Sequence, residues 1–251
     1  WGGIDHKVLE FHEYVNLFSG KSGSGKSTVM DAIQVILYGS FSPSFLNKAA
    51  DDAKNRRSVL SYLRGEQKDG SANRKDCDFC SVIALEIEDT GTHMITCIGI
   101  AFEVRKSDSE IKKFVYFSHS GKMPESEYLT EQGVCYSNQE IKKLISARTK
   151  SDDNRGKGEV NRIYGSKEAY LGTLYDVILG YIDQNRFITM EKSAIALKMT
   201  NGTGQFIRDY MFPKNTSNTI ATISEQLDSY RQIKDKIEDL RKRIEILTDI
   251  Q

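Results

Sequence analysis

Gly20, Gly25, Lys26 and Ser27 stand at the spacing G-x-x-x-x-G-K-[ST] inside V-N-L-F-S-G-K-S-G-S-G-K-S-T-V-M-D-A-I-Q-V-I-L-Y-G, residues 15–39. Residues of these types at this spacing hold a chain of phosphates. Glycines at 20, 23 and 25 let the backbone curl until successive amide groups point inward. A helix opening at Lys26 adds the partial positive charge of its N-terminus. The Lys26 ammonium would neutralise the β- and γ-phosphates, and the Ser27 hydroxyl would hold Mg²⁺. Lys21, Ser22, Gly23, Ser24, Gly25, Lys26, Ser27 and Thr28 are therefore the expected nucleotide cradle, with Ser27 as the metal ligand. A glycine- and serine-rich hairpin would use similar residues, but no apolar run would lead into it and no helical pattern would leave it.

Such a cradle has to be carried by a strand and a helix. Residues 15–18 read as the strand and residues 26–38 as the helix. Further upstream, Ile4, Val8, Leu9, Phe11, Tyr14, Val15, Leu17 and Phe18 alternate loosely, which predicts two short strands joined near His12 and Glu13. His12 is close enough in sequence to approach a bound base or phosphate, although a histidine in an exposed turn is the simpler assignment. Residues 39–56 carry turn formers and read as a loop. R-R-S-V-L-S-Y-L-R-G, residues 56–65, predicts a short helix closed by Gly65.

Three β-branched runs at 79–87, 94–104 and 114–118 predict an antiparallel meander. Ser137 and Glu140 form a capping box ahead of a helix over 140–147. Ser166 caps an amphipathic helix to about residue 179, with Ala169, Tyr170, Leu174, Tyr175, Val177 and Ile178 on its apolar face. Shorter helices around 185–197 and 203–210 complete a helical lobe, which Pro213 ends. From 216 to 251 there is neither Gly nor Pro, and Ile223, Leu227, Tyr230, Ile233, Ile237, Leu240, Ile244 and Leu247 trace a heptad seam. A stripe this narrow needs a partner helix, so the root of a coiled-coil arm is expected, in a polypeptide that continues past Gln251.

The charges balance, 35 Lys and Arg against 35 Asp and Glu, so no global field recruits nucleic acid. Local excesses remain. Residues 48–75 hold eight basic residues against four acids, and 142–162 hold seven against three. Either could contact a phosphate backbone, and either could be a solvated loop. No apolar run reaches the length of a membrane span and no signal peptide opens the chain, so a cytoplasmic location is expected. Cys77 and Cys80 form a C-x-x-C pair, but Cys97 and Cys135 lack that spacing. Free thiols in a reducing compartment are expected rather than zinc.

The residues just past the loop narrow the reading. G-K-S-T-V-M-D-A-I-Q-V-I-L-Y-G resembles the first helix of ATP-binding-cassette heads in the SMC, MukB, SbcC and RecF group, with Asp31, Ala32 and Ile33 at the Asp-Ala-Ile positions. W-G-G-I-D-H-K-V-L-E-F-H, R-S-V-L-S-Y-L-R-G-E and Y-G-S-K-E-A-Y-L-G-T-L-Y-D-V-I-L-G are similar to a MukB-like class within that group. This class comprises the SMC-like ATPase subunits of Wadjet plasmid-defence complexes, the JetC family. The resemblance covers essentially the whole chain.

It implies an α/β fold: a P-loop NTPase forming the N-terminal half of an SMC-type head over 1–212, with an antiparallel β meander and a helical lobe, followed by the start of a coiled coil over 213–251. It implies ATP and Mg²⁺ as ligands and ATP-driven head engagement that moves DNA. The partners implied are the C-terminal half of the same head, a second SMC-like head, a kleisin, winged-helix-type accessory subunits, a separate nuclease subunit and double-stranded DNA bound without sequence preference. An arginine touching phosphate and DNA would fall at Arg56 or Arg57. The family's metal-loop glutamine has no motif match in this sequence, and Gln184 and Gln205 are candidates by location only.

The chain contains no apolar strand ending in Asp-Glu and no Ser-Gly-Gly signature. In the family both lie in the C-terminal half of the head, so residues 1–251 alone are expected to bind nucleotide without hydrolysing it. Two alternatives stand beside this reading: the ATPase of a repair nuclease of the SbcC or RecF kind, and a P-loop phosphotransferase, against which the heptad seam argues.

Overall fold

The computed structural model describes residues 1–21, 23–43, 46, 58–67, 69–151 and 160–195. Ser22, Arg56, Arg57, Gln205, the helix expected over 203–210 and the coiled coil expected over 213–251 lie outside the described residues. The chain divides into two units, Trp1–Ala196 and Leu197–Gln251, and every described element belongs to the first.

The three apolar runs form β1 (Phe79–Glu88), β2 (Ile95–Val104) and β3 (Lys113–Ser120), and a short β4 (Arg162–Tyr164) completes an antiparallel sheet in the order β1-β2-β3-β4. Register decides which side chains share a face. Ile83 pairs with Ile100, Ile100 with Tyr116 and Tyr116 with Tyr164, placing these four on one face. Ala84, Gly99, Phe117 and Ile163 align in the same way on the other. Both faces are covered, which is why β2 reads as a nearly continuous apolar run.

The first face packs against α1 (Lys26–Tyr38), α2 (Val59–Arg64) and α4 (Lys167–Gly172), burying Val35, Ile36, Leu63, Tyr170 and Leu174. The second packs against α3 (Asn138–Ser151), where Ile141 and Ile145 meet Ala101 and Phe117. Each large apolar side chain removed from water in this way contributes about 1.5–3 kcal/mol.

Local signals set the helix ends. The Ser137 amide donates to Glu140 Oε2 at 2.7 Å and the Glu140 amide donates to Ser137 Oγ at 3.3 Å, so the expected capping box opens α3. Ser58 Oγ accepts from the Ser61 amide at the start of α2, and Gly65, at φ 66°, ends it. A residue with a Cβ at position 65 would press within 2.5 Å of the Gly2 carbonyl oxygen. Helix α5 (Gln184–Ile195) follows the expected course of residues 185–197 closely.

Three expectations are corrected. No strand forms within 4–18. The segment bends at Glu13 and Tyr14, near the expected joint, but it has no ladder partner among the described residues, and Tyr14, Val15 and Leu17 are 79, 78 and 90% exposed. The bend is held by Asn16, whose Oδ1 accepts from the His12 amide at 2.6 Å and whose Nδ2 donates to the His12 carbonyl at 2.8 Å. A strand needs a neighbour to satisfy its backbone, and alternation alone does not supply one.

The helix expected from 167 to 179 changes pitch after Gly172, giving a π-helical turn over Thr173–Ile178. The wider turn brings Tyr170, Leu171, Leu174 and Tyr175 into the core together. Finally, β4, for which no strand was expected, begins at the last residue of the basic stretch 142–162. At three residues it is too short to show alternation.

Candidate nucleotide-binding site

The loop between residue 20 and α1 curls through Gly20, Gly23 and Gly25, at φ 153, 82 and 88°. Gly25 is the N-cap of α1 in the left-handed region, and no side chain caps the first turn. The amides of Lys26, Ser27 and Thr28, in the first turn, have no intrahelical acceptor and are available as donors to a ligand. A Cβ at Gly25 would meet nothing within 4 Å among the described residues, so the space beside this glycine is open.

The Lys26 ammonium lies across this mouth, donating to the carbonyl oxygens of Gly20 at 2.7 Å and Lys21 at 2.9 Å and to Ser24 Oγ at 3.2 Å. Its charge is thus held on the concave side by neutral oxygens, which an anionic oxygen outcompetes. Ser27 is exposed beside it. A bare helix N-terminus, open glycines, a lysine and a hydroxyl at one point fit a polyphosphate with its Mg²⁺. Ser22 lies outside the described residues.

The AAA domain family profile matches residues 1–251, the full length of the sequence. The chain belongs to the AAA domain family. These are AAA-type ATPases of the SMC, RecF and SbcC kind, P-loop proteins that bind nucleotide. No curated protein matches the chain.

In this AAA domain, α1 is gripped at both ends. At its start, Trp1 Nε1 donates to the Thr28 carbonyl oxygen at 2.8 Å, and the buried Asp31 carboxylate accepts from the Tyr62 hydroxyl. At its end, three tyrosines from other elements take the last carbonyls. Tyr170 donates to Ile36 at 3.0 Å, Tyr175 to Leu37 at 3.0 Å and Tyr116 to Gly39 at 2.6 Å. Helix C-termini leave carbonyls without intrahelical partners, and buried phenols need acceptors, so each supplies the other's need. Burial pushes the Tyr116 and Tyr175 phenols up to about 12 and Tyr170 well above the usual phenol value. All three stay protonated donors. Sequence reading missed both grips, because a tyrosine on an apolar face does not announce where its hydroxyl ends.

Gln184 does not lie at the AAA domain's P-loop. It lines an open cleft with Tyr175, Asp176 and Tyr181, and Tyr175 bonds to α1 at Leu37, about 16 Å along the helix from Lys26. Further up α5, Glu191 Oε1 accepts from the buried Gln34 amide at 2.8 Å, tying α5 to the middle of α1.

The basic stretches are partly spent on structure. Arg64 donates to the carbonyls of Lys106 at 3.1 Å and Asp108 at 2.6 Å, and Arg74 donates to Leu63 and Gly2 and pairs with Asp5 at 2.7 Å. Arg148 donates to Ser120 and Lys122, and Arg162 lies over the Tyr164 ring. His12 sits in the exposed bend. The four cysteines are free thiols, and among the described residues no cluster of His, Cys, Asp and Glu is arranged to hold a metal. No described helix is long and apolar enough to cross a membrane.

Proposed function

We propose that this AAA domain is the nucleotide-binding part of an SMC-like ATPase head, completed by a C-terminal half and paired with a second head across two ATP molecules. The single observation that carries this reading is the P-loop, with Lys26 drawn across its mouth and the unencumbered first turn of α1 behind it. The exposed segment 8–18 supports it as well, since it leads directly into the loop and carries apolar side chains that the other half would cover.

In this reading Lys26 and the first-turn amides bind the β- and γ-phosphates, Ser27 orients the metal, and the general base and signature motif come from the C-terminal half and the opposing head. Bound ATP would bridge the heads through its γ-phosphate, and hydrolysis would transfer that group to water and release it as inorganic phosphate, reopening them. Thr216 onward forms the root of the arm, and the arm, a kleisin and winged-helix subunits hold double-stranded DNA through its backbone. The resemblance of segments such as R-S-V-L-S-Y-L-R-G-E to Wadjet subunits favours loop extrusion on plasmid DNA in defence, with cleavage by a separate nuclease, as the finer form of this proposal.

An ATPase assay of residues 1–251, with and without double-stranded DNA, tests the composite site. We expect MgATP to bind with turnover at background. Robust turnover by the chain alone refutes the missing-half reading.

A further inference from the structure

The start of α1 touches the N-terminal turn in an arrangement that phosphate binding does not by itself require. Trp1 stacks on Tyr62 with ring centroids 4.9 Å apart and planes within 7°. Each ring carries one polar handle, and both handles end on α1. Trp1 Nε1 takes the Thr28 carbonyl, and the Tyr62 hydroxyl takes the Asp31 carboxylate. The Gly2 amide closes the ring by donating to the Tyr62 carbonyl at 2.7 Å.

Thr28 and Asp31 are three residues apart, so they lie on one face of the helix, Thr28 in the same first turn as Lys26 and Ser27 and Asp31 about one turn further on. Two fixed points on one face set both the rotation of a helix about its axis and its advance along it. Those two quantities decide where the Lys26 ammonium and the Ser27 hydroxyl point. Asp31 is 3% exposed, and a carboxylate buried that deeply is costly unless its partners stay in place.

We infer that Trp1, Tyr62 and Asp31 are positioning residues for the nucleotide cradle: the stacked pair holds the first turn of α1 in the orientation that binds MgATP, and reports on its occupancy. This rests on the reading of the loop as a nucleotide site. No atom of the three need touch the nucleotide. Their effect passes through the Thr28 backbone and the Asp31 side chain to the turn that carries Lys26 and Ser27. Trp1 is the only tryptophan of the 251 residues, so its emission is a built-in probe of that turn.

The test measures MgATP affinity by calorimetry and Trp1 emission in parallel titrations. In the parent chain, emission should change saturably with the same midpoint as the heat. Tyr62→Phe keeps the stack and removes one hydroxyl, and it should raise the dissociation constant about fivefold. Tyr128→Phe removes an equally buried hydroxyl on the far face of the sheet, bonded to His119, and should leave affinity unchanged, which separates positioning from general stability. If Tyr62→Phe does not fold by circular dichroism, Trp1→Phe removes the Nε1 handle instead and should give the same loss of affinity.

Parental affinity in both Tyr62→Phe and Trp1→Phe overturns the inference while leaving the nucleotide site intact. So does flat Trp1 emission while the heat shows binding. Absence of MgATP binding in the parent overturns the cradle reading, and the inference with it.

Discussion

The Tyr170 hydroxyl donates to the Ile36 carbonyl oxygen at 3.0 Å, joining α4 to the end of the P-loop helix across 134 residues of sequence. Tyr116 stacks on the same Tyr170 ring at 4.6 Å, so sheet, α4 and α1 meet at one aromatic contact. Tyr170→Phe keeps that stack and leaves the Ile36 carbonyl without the phenol. The expected cost is about 1–2 kcal/mol, read as a lower urea midpoint at unchanged slope. A midpoint equal to the parent would mean that the Gly39 amide, which already donates to the same carbonyl at 3.4 Å, suffices for it.

Gly25→Ala and Gly70→Ala separate backbone strain from ligand space. Both glycines have positive φ, 88° and 82°, and a Cβ at either meets nothing within 4 Å. Each should lose about 1–2 kcal/mol of stability from the left-handed backbone. Only Gly25→Ala should also weaken nucleotide binding, because its methyl would stand in the cradle. Equal nucleotide affinity in the two variants would place the phosphates elsewhere.

His119 gives the fold a defined response to acid. It is fully buried between Tyr128, whose hydroxyl lies 2.8 Å from Nε2, and the Ser120 carbonyl, 3.0 Å from Nδ1, with Glu86 and Arg148 as its charged neighbours. Burial first, and Arg148 after it, hold its pKa below the usual 6.5. Above about 6.5 the ring is neutral in both folded and unfolded chains. As pH falls below that value the unfolded chain takes up a proton that the folded chain resists, so stability declines until the lowered folded pKa is passed. Unfolding free energies at pH 8 and pH 5.5 should therefore differ more in the parent than in His119→Gln. An identical pH dependence in the two would contradict the assignment.

Thiol reactivity should follow burial. Cys77 is exposed, whereas burial, and after it Glu103, pushes the Cys80 thiol up to about 11, and burial pushes Cys97 up to about 12 and raises Cys135 as well. Only thiolate reacts appreciably. Iodoacetamide at pH 8 should add one adduct quickly, at Cys77 by peptide mass mapping, with the others following only on unfolding. A second fast adduct at Cys97 would show that the β2 face opens.

The sequence was most informative where local chemistry is decisive. The 26–38 helix, the three long strands, the Ser137 and Glu140 capping box and the Gly65 stop all appear within a few residues of their expected places. The P-loop was legible because three glycine positions, a lysine and a helix start are constrained together. The strand at 15–18 was overread because alternation reports a preference and not a partner. The π-helical turn at Thr173–Ile178 was missed because widening by one residue per turn leaves the apolar spacing nearly helical. The grips on α1 were illegible for a different reason. They join residues 31, 77, 134 and 138 positions apart, and only the assembled sheet brings them together.

The central claim is that Lys26 and the turn behind it bind a nucleotide. Calorimetric titration of the chain with MgATP, in parallel with Lys26→Ala, tests it directly. Lys26 makes its contacts from the loop surface, so the variant should keep the parental circular dichroism spectrum and unfolding midpoint. We predict saturable binding by the parent and affinity lower by at least about tenfold in Lys26→Ala. Equal affinity in the two, or no binding by a folded parent, would contradict it.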